Sequence, residues 1–128
     1  MNPCPFCSLE QKSIIHENTH MRVILDGFPV NEGHALIIPK RHVASYFDLN
    51  EAEKVSAYKA LDATKEILDE KFSPDGYNIG VNVGKAAGQT VHHVHIHLIP
   101  RYRGDIDDPT GGVRGVIPSK QKYRGDPS

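Results

Sequence analysis

The chain has 128 residues, with 15 Lys and Arg against 16 Asp and Glu, eight His, two Cys and no Trp. Such a length suits one domain with an ordinary hydrophobic core, and the near-neutral balance argues against gripping nucleic acid or an anionic membrane through bulk charge. Two closely spaced cysteines make no disulfide framework, no apolar run approaches the roughly 20 residues that span a bilayer, and Met1-Asn2-Pro3-Cys4 lacks a signal pattern, so a soluble cytoplasmic protein is expected.

Residues 1–12 are short, polar and carry Cys4 and Cys7. Ile14-Ile15 and Val23-Ile24-Leu25 are β-rich and separated by Asn18-Thr19, which predicts a hairpin. Asp26 to Gly33 contains two Gly and a Pro and reads as a loop. Ala35-Leu36-Ile37-Ile38 is an apolar run closed by Pro39, as suits a strand that ends there. A helix follows, with Asn50 as N-cap and Glu53 placed to complete a capping box. Ala57, Tyr58, Leu61, Leu68 and Phe72 recur at helical spacing, and Ser73-Pro74-Asp75-Gly76 supplies a stop. Tyr77 to Val83 alternates as a strand, Gly84 to Gly88 is a small-residue loop, and His92 to Pro100 alternates again. From about 104 to 128, Gly, Pro and Asp predict an irregular tail with frayed final residues. Strands, one long helix and more strands favour a single α+β domain over 1–128 with a mainly antiparallel sheet.

Half of the eight histidines fall between 92 and 97. Side chains alternate across a strand, so His93, His95 and His97 are expected on one face and Val94, Ile96 and Leu98 on the other. His92 falls on the aliphatic side. Two chemistries compete for such a face. Neutral imidazoles can ligate a transition metal, but a catalytic metal usually needs a further ligand close by. The nearest downstream acids, Asp105, Asp107 and Asp108, lie beyond Pro100 and off the strand. Alternatively, a neutral imidazole attacks phosphorus while its neighbours stabilise anionic oxygens. Flanking Asn82, Gly84, Gly88, Gln89 and Thr90 offer neutral donors and close backbone approach to an anion. No P-loop is present, because no Gly-Lys-Ser/Thr occurs.

The run Gly88-Gln89-Thr90-Val91-His92-His93-Val94-His95-Ile96-His97-Leu98-Ile99 resembles the histidine-triad (HIT) family signature. Gly33-His34-Ala35-Leu36-Ile37-Ile38-Pro39-Lys40 extends the resemblance, which covers Cys4 to about Pro100. It implies a five-stranded antiparallel sheet with one long helix and a short one, and a homodimer. By the same resemblance His95 is the nucleophile that attacks the α-phosphate of a nucleotide and forms a nucleotidyl-histidine that water resolves. His93 and His97 are its partners, and His34 is a fourth catalytic histidine. Gln89 and Thr90 correspond to phosphate and leaving-group contacts, Asn82 to a phosphate- or ribose-side amide, and Asp26 to the acid that binds ribose hydroxyls. The expected activity is hydrolysis or transfer at an α-phosphate of an adenine nucleotide, with a dinucleoside polyphosphate as substrate. A nucleoside phosphoramidate, or a nucleotide-binding regulator with little turnover, is the alternative. No organic cofactor is expected.

Cys4-Pro5-Phe6-Cys7 differs from a redox Cys-x-x-Cys motif in having no strand before it. Structural zinc needs four Cys or His ligands. Some HIT proteins are similar in placing two Cys and two His around zinc, which implies Cys4, Cys7, His42 and His93 here; two reduced, unliganded thiols are the rival reading. His16 and His20 read as exposed residues, Arg101 and Arg103 as a solvated strand end. Gly111 to Pro118 resembles a segment of bacterial-type HIT relatives and has no assigned role, lying where it could reach the site or a dimer interface.

Overall fold

Short runs of β-branched and aliphatic residues pair into one sheet in the computed structural model, which describes residues 4–123. The strands are β1 (Ile14–Glu17), β2 (Met21–Leu25), β3 (Ala35–Pro39), β4 (Gly76–Val81) and β5 (Ile96–Arg101). They lie in the order β1-β2-β3-β5-β4, and every neighbouring pair is antiparallel. The predicted five-stranded antiparallel sheet is therefore present. At the β1–β2 turn, Asn18 Oδ1 accepts from the backbone N–H groups of His20 and Met21, which explains why this residue turns the chain.

The long helix α1 spans Glu51–Phe72 and begins at the predicted capping box. The Asn50 side chain accepts the Glu53 N–H at 2.8 Å, and the Glu53 carboxylate accepts the Asn50 N–H at 2.9 Å. The inner face of α1 sets Ala57, Ala60 and Leu68 against Met21, Val23 and Ile37 of the sheet, with Ile96 and Leu98 beside them. Tyr58, expected on that stripe, is exposed. Ala57, Ala60 and Thr64 take the innermost positions instead, because small side chains let the helix lie close on the sheet. Among the described residues no second α-helix occurs; the shorter helical pieces are 3-10 turns, so the expected short helix takes that form. Nor is any described helix long and apolar enough to cross a membrane.

Two strand boundaries differ from expectation. β4 stops at Val81, short of Val83. β5 starts at Ile96 rather than His92, because the Val94 N–H is drawn away to the Val43 carbonyl at 2.8 Å. His92 is exposed, although alternation put it on the aliphatic side.

The segment after Gly104 is more ordered than its composition suggests. Asp105 accepts from Arg101 at 2.8 Å, from Asn31 at 2.7 Å and from the Tyr102 N–H at 2.9 Å, so Arg101 is a structural anchor. Its guanidinium and the Tyr102 amide hold the Asp105 carboxyl well below the usual range. Two 3-10 turns follow, Gly112–Val116 and Pro118–Lys120. Gly111 sits at φ 90°, and a Cβ there would run into the Gln121 carbonyl, so glycine is needed to close this loop. The frayed end expected beyond 123 lies outside the described residues, as do residues 1–3.

Candidate active site

Sheet register brings the functional side chains together. β2 and β3 pair Leu25 with Ala35, so the next position beyond both ends sets Asp26 opposite His34. Their backbones close this step, with the Asp26 N–H on the His34 carbonyl at 2.8 Å. β3 and β5 pair Leu36 with His97. His34 and Leu36 share a face by alternation, which carries Asp26 and His34 to His97. The result is a buried His34 whose Nε2 lies 2.9 Å from His97 Nδ1 and 3.5 Å from Asp26 Oδ2.

Hydrogen bonds settle which nitrogens carry protons. The Val30 N–H donates to His34 Nδ1 at 3.0 Å, so that nitrogen holds a lone pair. A neutral His34 then carries its proton on Nε2 and donates it to His97 Nδ1. His97 is thereby set with Nδ1 as acceptor and its Nε2–H turned outward. Burial holds both imidazoles below their ordinary values; Asp26 opposes this at His34, and neighbouring histidines reinforce it at His97.

His95 stands beside this pair, its ring 5.0 Å from that of His97. Its Nδ1 lies 3.0 Å from the His93 carbonyl, and a carbonyl oxygen can only accept, so Nδ1–H donates and Nε2 is left with a free lone pair. The ring edge of Phe6 packs on His95 at 5.0 Å. Neither the Val30 amide nor Phe6 was found by sequence reasoning: one acts through its backbone, the other comes from the opposite end of the chain.

The third member of the triad goes elsewhere. His93 was expected to share an open face with His95 and His97, yet it is fully buried. Because the strand begins only at Ile96, strict alternation does not reach it. Its Nε2–H donates to the Pro39 carbonyl at 2.7 Å, so Nδ1 faces the two thiols unprotonated. Cys4 Sγ is 3.4 Å and Cys7 Sγ 3.6 Å from that nitrogen, and Cys7 Sγ is 3.1 Å from His42 Nδ1. All four donor atoms lie within 4.8 Å of one another. Burial also keeps His93 neutral, lowering its pKa against the opposing Pro39 carbonyl. Arg41, next to His42 in the chain, grips Glu53 through two hydrogen bonds of 2.9 and 2.8 Å. With the capping-box bond, this pushes Glu53 down to about 2.

The phosphate-side candidates divide. Thr90 is exposed, and half-buried Asn82 lines a cavity of about 370 Å³ that opens beside His34 and His97. Gln89 was expected to contact phosphate directly, but its amide is committed to backbone. Its Nε2 donates to the Ala44 carbonyl at 2.7 Å and the Val91 carbonyl at 3.0 Å, while Oε1 accepts the Gly84 N–H at 2.9 Å. Gln89 therefore shapes the loop in this structure, and its N–H groups are not turned to an anion. The Gly112–Val116 turn, to which the sequence assigned no role, forms another wall of the cavity.

Comparison with known proteins gives the family of the chain. A family model for the HIT domain matches residues 9–104. An uncharacterized HIT-like protein of Methanocaldococcus jannaschii is 41% identical over 106 residues, covering 80% of this chain and 81% of that one. A bis(5'-adenosyl)-triphosphatase of Dictyostelium discoideum is 40% identical over 80 residues, covering 62% of this chain and 54% of the other. The crystal structure of a HIT family member from Bacillus subtilis superposes with a TM-score of 0.74 at 30% identity, covering 81% of this chain and 77% of that one. On the match across most of its length, this chain belongs to the HIT domain family.

Proposed function

We propose that the protein hydrolyses or transfers at the α-phosphate of an adenine nucleotide, with a dinucleoside polyphosphate as substrate. The observation that carries this reading is His95 Nδ1–H held on the His93 carbonyl, which aims an unprotonated Nε2 outward beside His97. In the first step His95 Nε2 forms a bond to the α-phosphorus and the bond from phosphorus to the leaving group breaks. The cationic ring that results keeps its Nδ1–H on the carbonyl. Water then attacks the same phosphorus, the phosphorus–nitrogen bond breaks, and nucleoside monophosphate and one proton are released. Two moderate displacements replace one difficult one.

The tautomer of His97 favours an anhydride over a phosphoramidate. With Nδ1 filled by the His34 proton, His97 offers Nε2–H as a hydrogen bond to developing negative charge. Giving that proton away entirely would leave an imidazolate. A polyphosphate departs as a stable anion and needs only the hydrogen bond, whereas an amine must be protonated to leave. Asn82 and Thr90 then serve the phosphate oxygens and Asp26 the ribose hydroxyls, all through donors and acceptors without a basic surface. A nearby bis(5'-adenosyl)-triphosphatase relative supports the same choice.

Zinc is assigned to Cys4, Cys7, His42 and His93. Ordinary zinc–sulfur and zinc–nitrogen lengths place tetrahedral donors about 3.3–3.8 Å apart; the 3.4 and 3.6 Å separations of His93 Nδ1 from the two thiols fall in that range, and the 3.1 Å between Cys7 and His42 opens slightly to admit the ion. The donation from His93 to Pro39 is the outer contact expected of a metal-bound imidazole. When bound, the ion supplies a fixed cross-link between the N-terminal segment and the residues preceding β5. Thiol ligands suit a reducing compartment such as the cytoplasm. A homodimer, as the family resemblance implies, completes the proposal.

The test is a substrate panel of diadenosine tri- and tetraphosphate with rapid acid quenching and mass spectrometry. A nucleoside-monophosphoryl adduct on the His95 peptide is expected, and His95→Ala is expected to lower turnover by about 10³-fold or more while leaving the fold intact. Undiminished hydrolysis by His95→Ala would overturn the assignment.

A further inference from the structure

The cavity beside His97 has a chemical character that the phosphate-side residues do not explain. Its walls include Val30, Ile79, Ile99, Val113 and Val116. Besides His34 and His97, Asn78 and Asn82 are its polar side chains, and among the described residues its lining contains no carboxylate and no Lys or Arg. The register of β4 on β5 pairs Gly80 with His97 and Asn78 with Ile99. Gly80 has no side chain to fill the space in front of His97, so the cavity opens onto the reacting histidines. On its far side stands the Gly112–Val116 turn. That turn is held in place by the Gly111–Gln121 approach, by Arg114 Nε on the Gln121 carbonyl at 3.3 Å, and by Gln121 Nε2 on the Thr110 carbonyl at 3.2 Å.

We infer that this cavity receives the nucleoside of the leaving group, so that the Gly112–Val116 turn is a specificity element for substrates with a second nucleoside. The inference rests on the proposed α-phosphate cleavage and adds where the departing half sits. Its volume of about 370 Å³ falls within the roughly 300–1,000 Å³ of small-molecule pockets. An aliphatic wall with the Asn78 amide complements a flat, uncharged base and its hydroxyls. It offers no ion pair to a bare polyphosphate tail or to an ammonium group. Asn78 is oriented for such a contact: its Oδ1 accepts from Arg101 Nη1 at 2.7 Å, which directs the amide nitrogen toward the turn. A Cβ on Gly112 would come to 3.4 Å from that nitrogen, an ordinary contact, so the turn lies directly against the Asn78 amide. Beyond it a second space of about 350 Å³ shares Asn78, Ile99 and Gly112 and extends the cleft outward.

Two substrates with the same transferred half separate this inference from the activity it rests on. Diadenosine triphosphate expels a nucleotide, whereas adenosine 5'-phosphorofluoridate expels only fluoride. Val116→Trp and Ile79→Trp each introduce bulk from a side chain that is already mostly exposed, at 79% and 54%, so folding is little disturbed. Each substitution is expected to lower the ratio of kcat/KM for the triphosphate to that for the fluoridate by about tenfold or more. Light scattering on a sizing column reports the oligomeric state of the same samples. If the wild type cleaves the fluoridate and neither variant moves the ratio, the leaving-group site is overturned while the hydrolase reading stands. A change in oligomeric state with an unmoved ratio overturns it as well, since a second copy of the chain would then be the occupant. If the wild type cleaves neither substrate, the hydrolase reading itself falls.

Discussion

His93 and His34 are both buried imidazoles at the rim of the same sheet, and their outer nitrogens meet opposite partners. At His93 the partner is an acceptor, the Pro39 carbonyl, which takes the Nε2 proton and frees Nδ1 for the thiol side. At His34 the partner is a donor, the Val30 N–H, which fills Nδ1 and leaves the proton on Nε2 facing His97. One cluster therefore presents lone pairs to a cation, and the other presents a proton to a neighbouring base. Asp26, His34 and His97 also bring a carboxylate and two imidazoles within metal-ligand distance. A metal on His34 Nε2 would have to displace the proton from a ring whose other nitrogen already accepts, which calls for an imidazolate. On the proposed zinc assignment, the outer hydrogen bond, more than the set of residue types, separates the two clusters.

Metal analysis is the most direct way to break this comparison. Cys7→Ser is expected to reduce bound zinc from one equivalent to none and to lower the unfolding free energy by about 2–4 kcal/mol, read by urea titration. His34→Gln is expected to keep its equivalent of zinc; loss of metal there, or a second equivalent in the wild type, would erase the distinction. The same His34→Gln protein should lose roughly 10–100-fold in kcat with little change in KM, because His97 is no longer oriented. Glu53→Gln tests the support beneath the metal side. Weakening the Arg41 grip and the capping box is expected to cost about 1–2 kcal/mol in urea unfolding. The wild-type contribution of Glu53 is full above about pH 4.5 and fades as pH falls toward about 2.

The smallest effect is on pH dependence. His34 and His97 have lowered pKa values in the folded state, so the unfolded chain binds protons first as pH falls. Their contribution to stability is full above the unfolded value of about 6.5 and declines below it. The unfolding free energy should thus fall between pH 7.5 and pH 5.5, about one unit either side of that value, and His34→Gln should show a shallower fall. An equal slope in both proteins would remove the neutral pair from the account.

Much of the fold was legible because its signals are local. Asn50 and Glu53 lie three residues apart and cap α1 through their own backbone. Ile96 and Leu98 were correctly placed in the interior by alternation, and Val94 is buried as expected, although it precedes the strand and packs against Val43 and Leu49. The site was harder to read where long-range bonds override local pattern. Val94 donates to Val43, which ends the alternation before His93 and sends that ring to the cysteines. Gln89 looked like a loop donor, and only the positions of Ala44 and Gly84 reveal that its amide is taken up internally. The tail read as irregular from its Gly and Pro content, but those residues are what allow Gly111 to close against Gln121.

Cys4, Cys7, Phe6 and the Gly112–Val116 turn all lie outside the stretch, 9–104, that matches the family. The sheet thus carries the triad, while two arms from opposite ends of the chain close on it, Phe6 and the cysteines beside His95 and His93, and the Gly112–Val116 turn across the cavity from His97. On the two proposals made above, one arm bears on stability and the other on selectivity, so the two properties can vary separately. Grafting either arm onto a relative's sheet would transplant one property without the other.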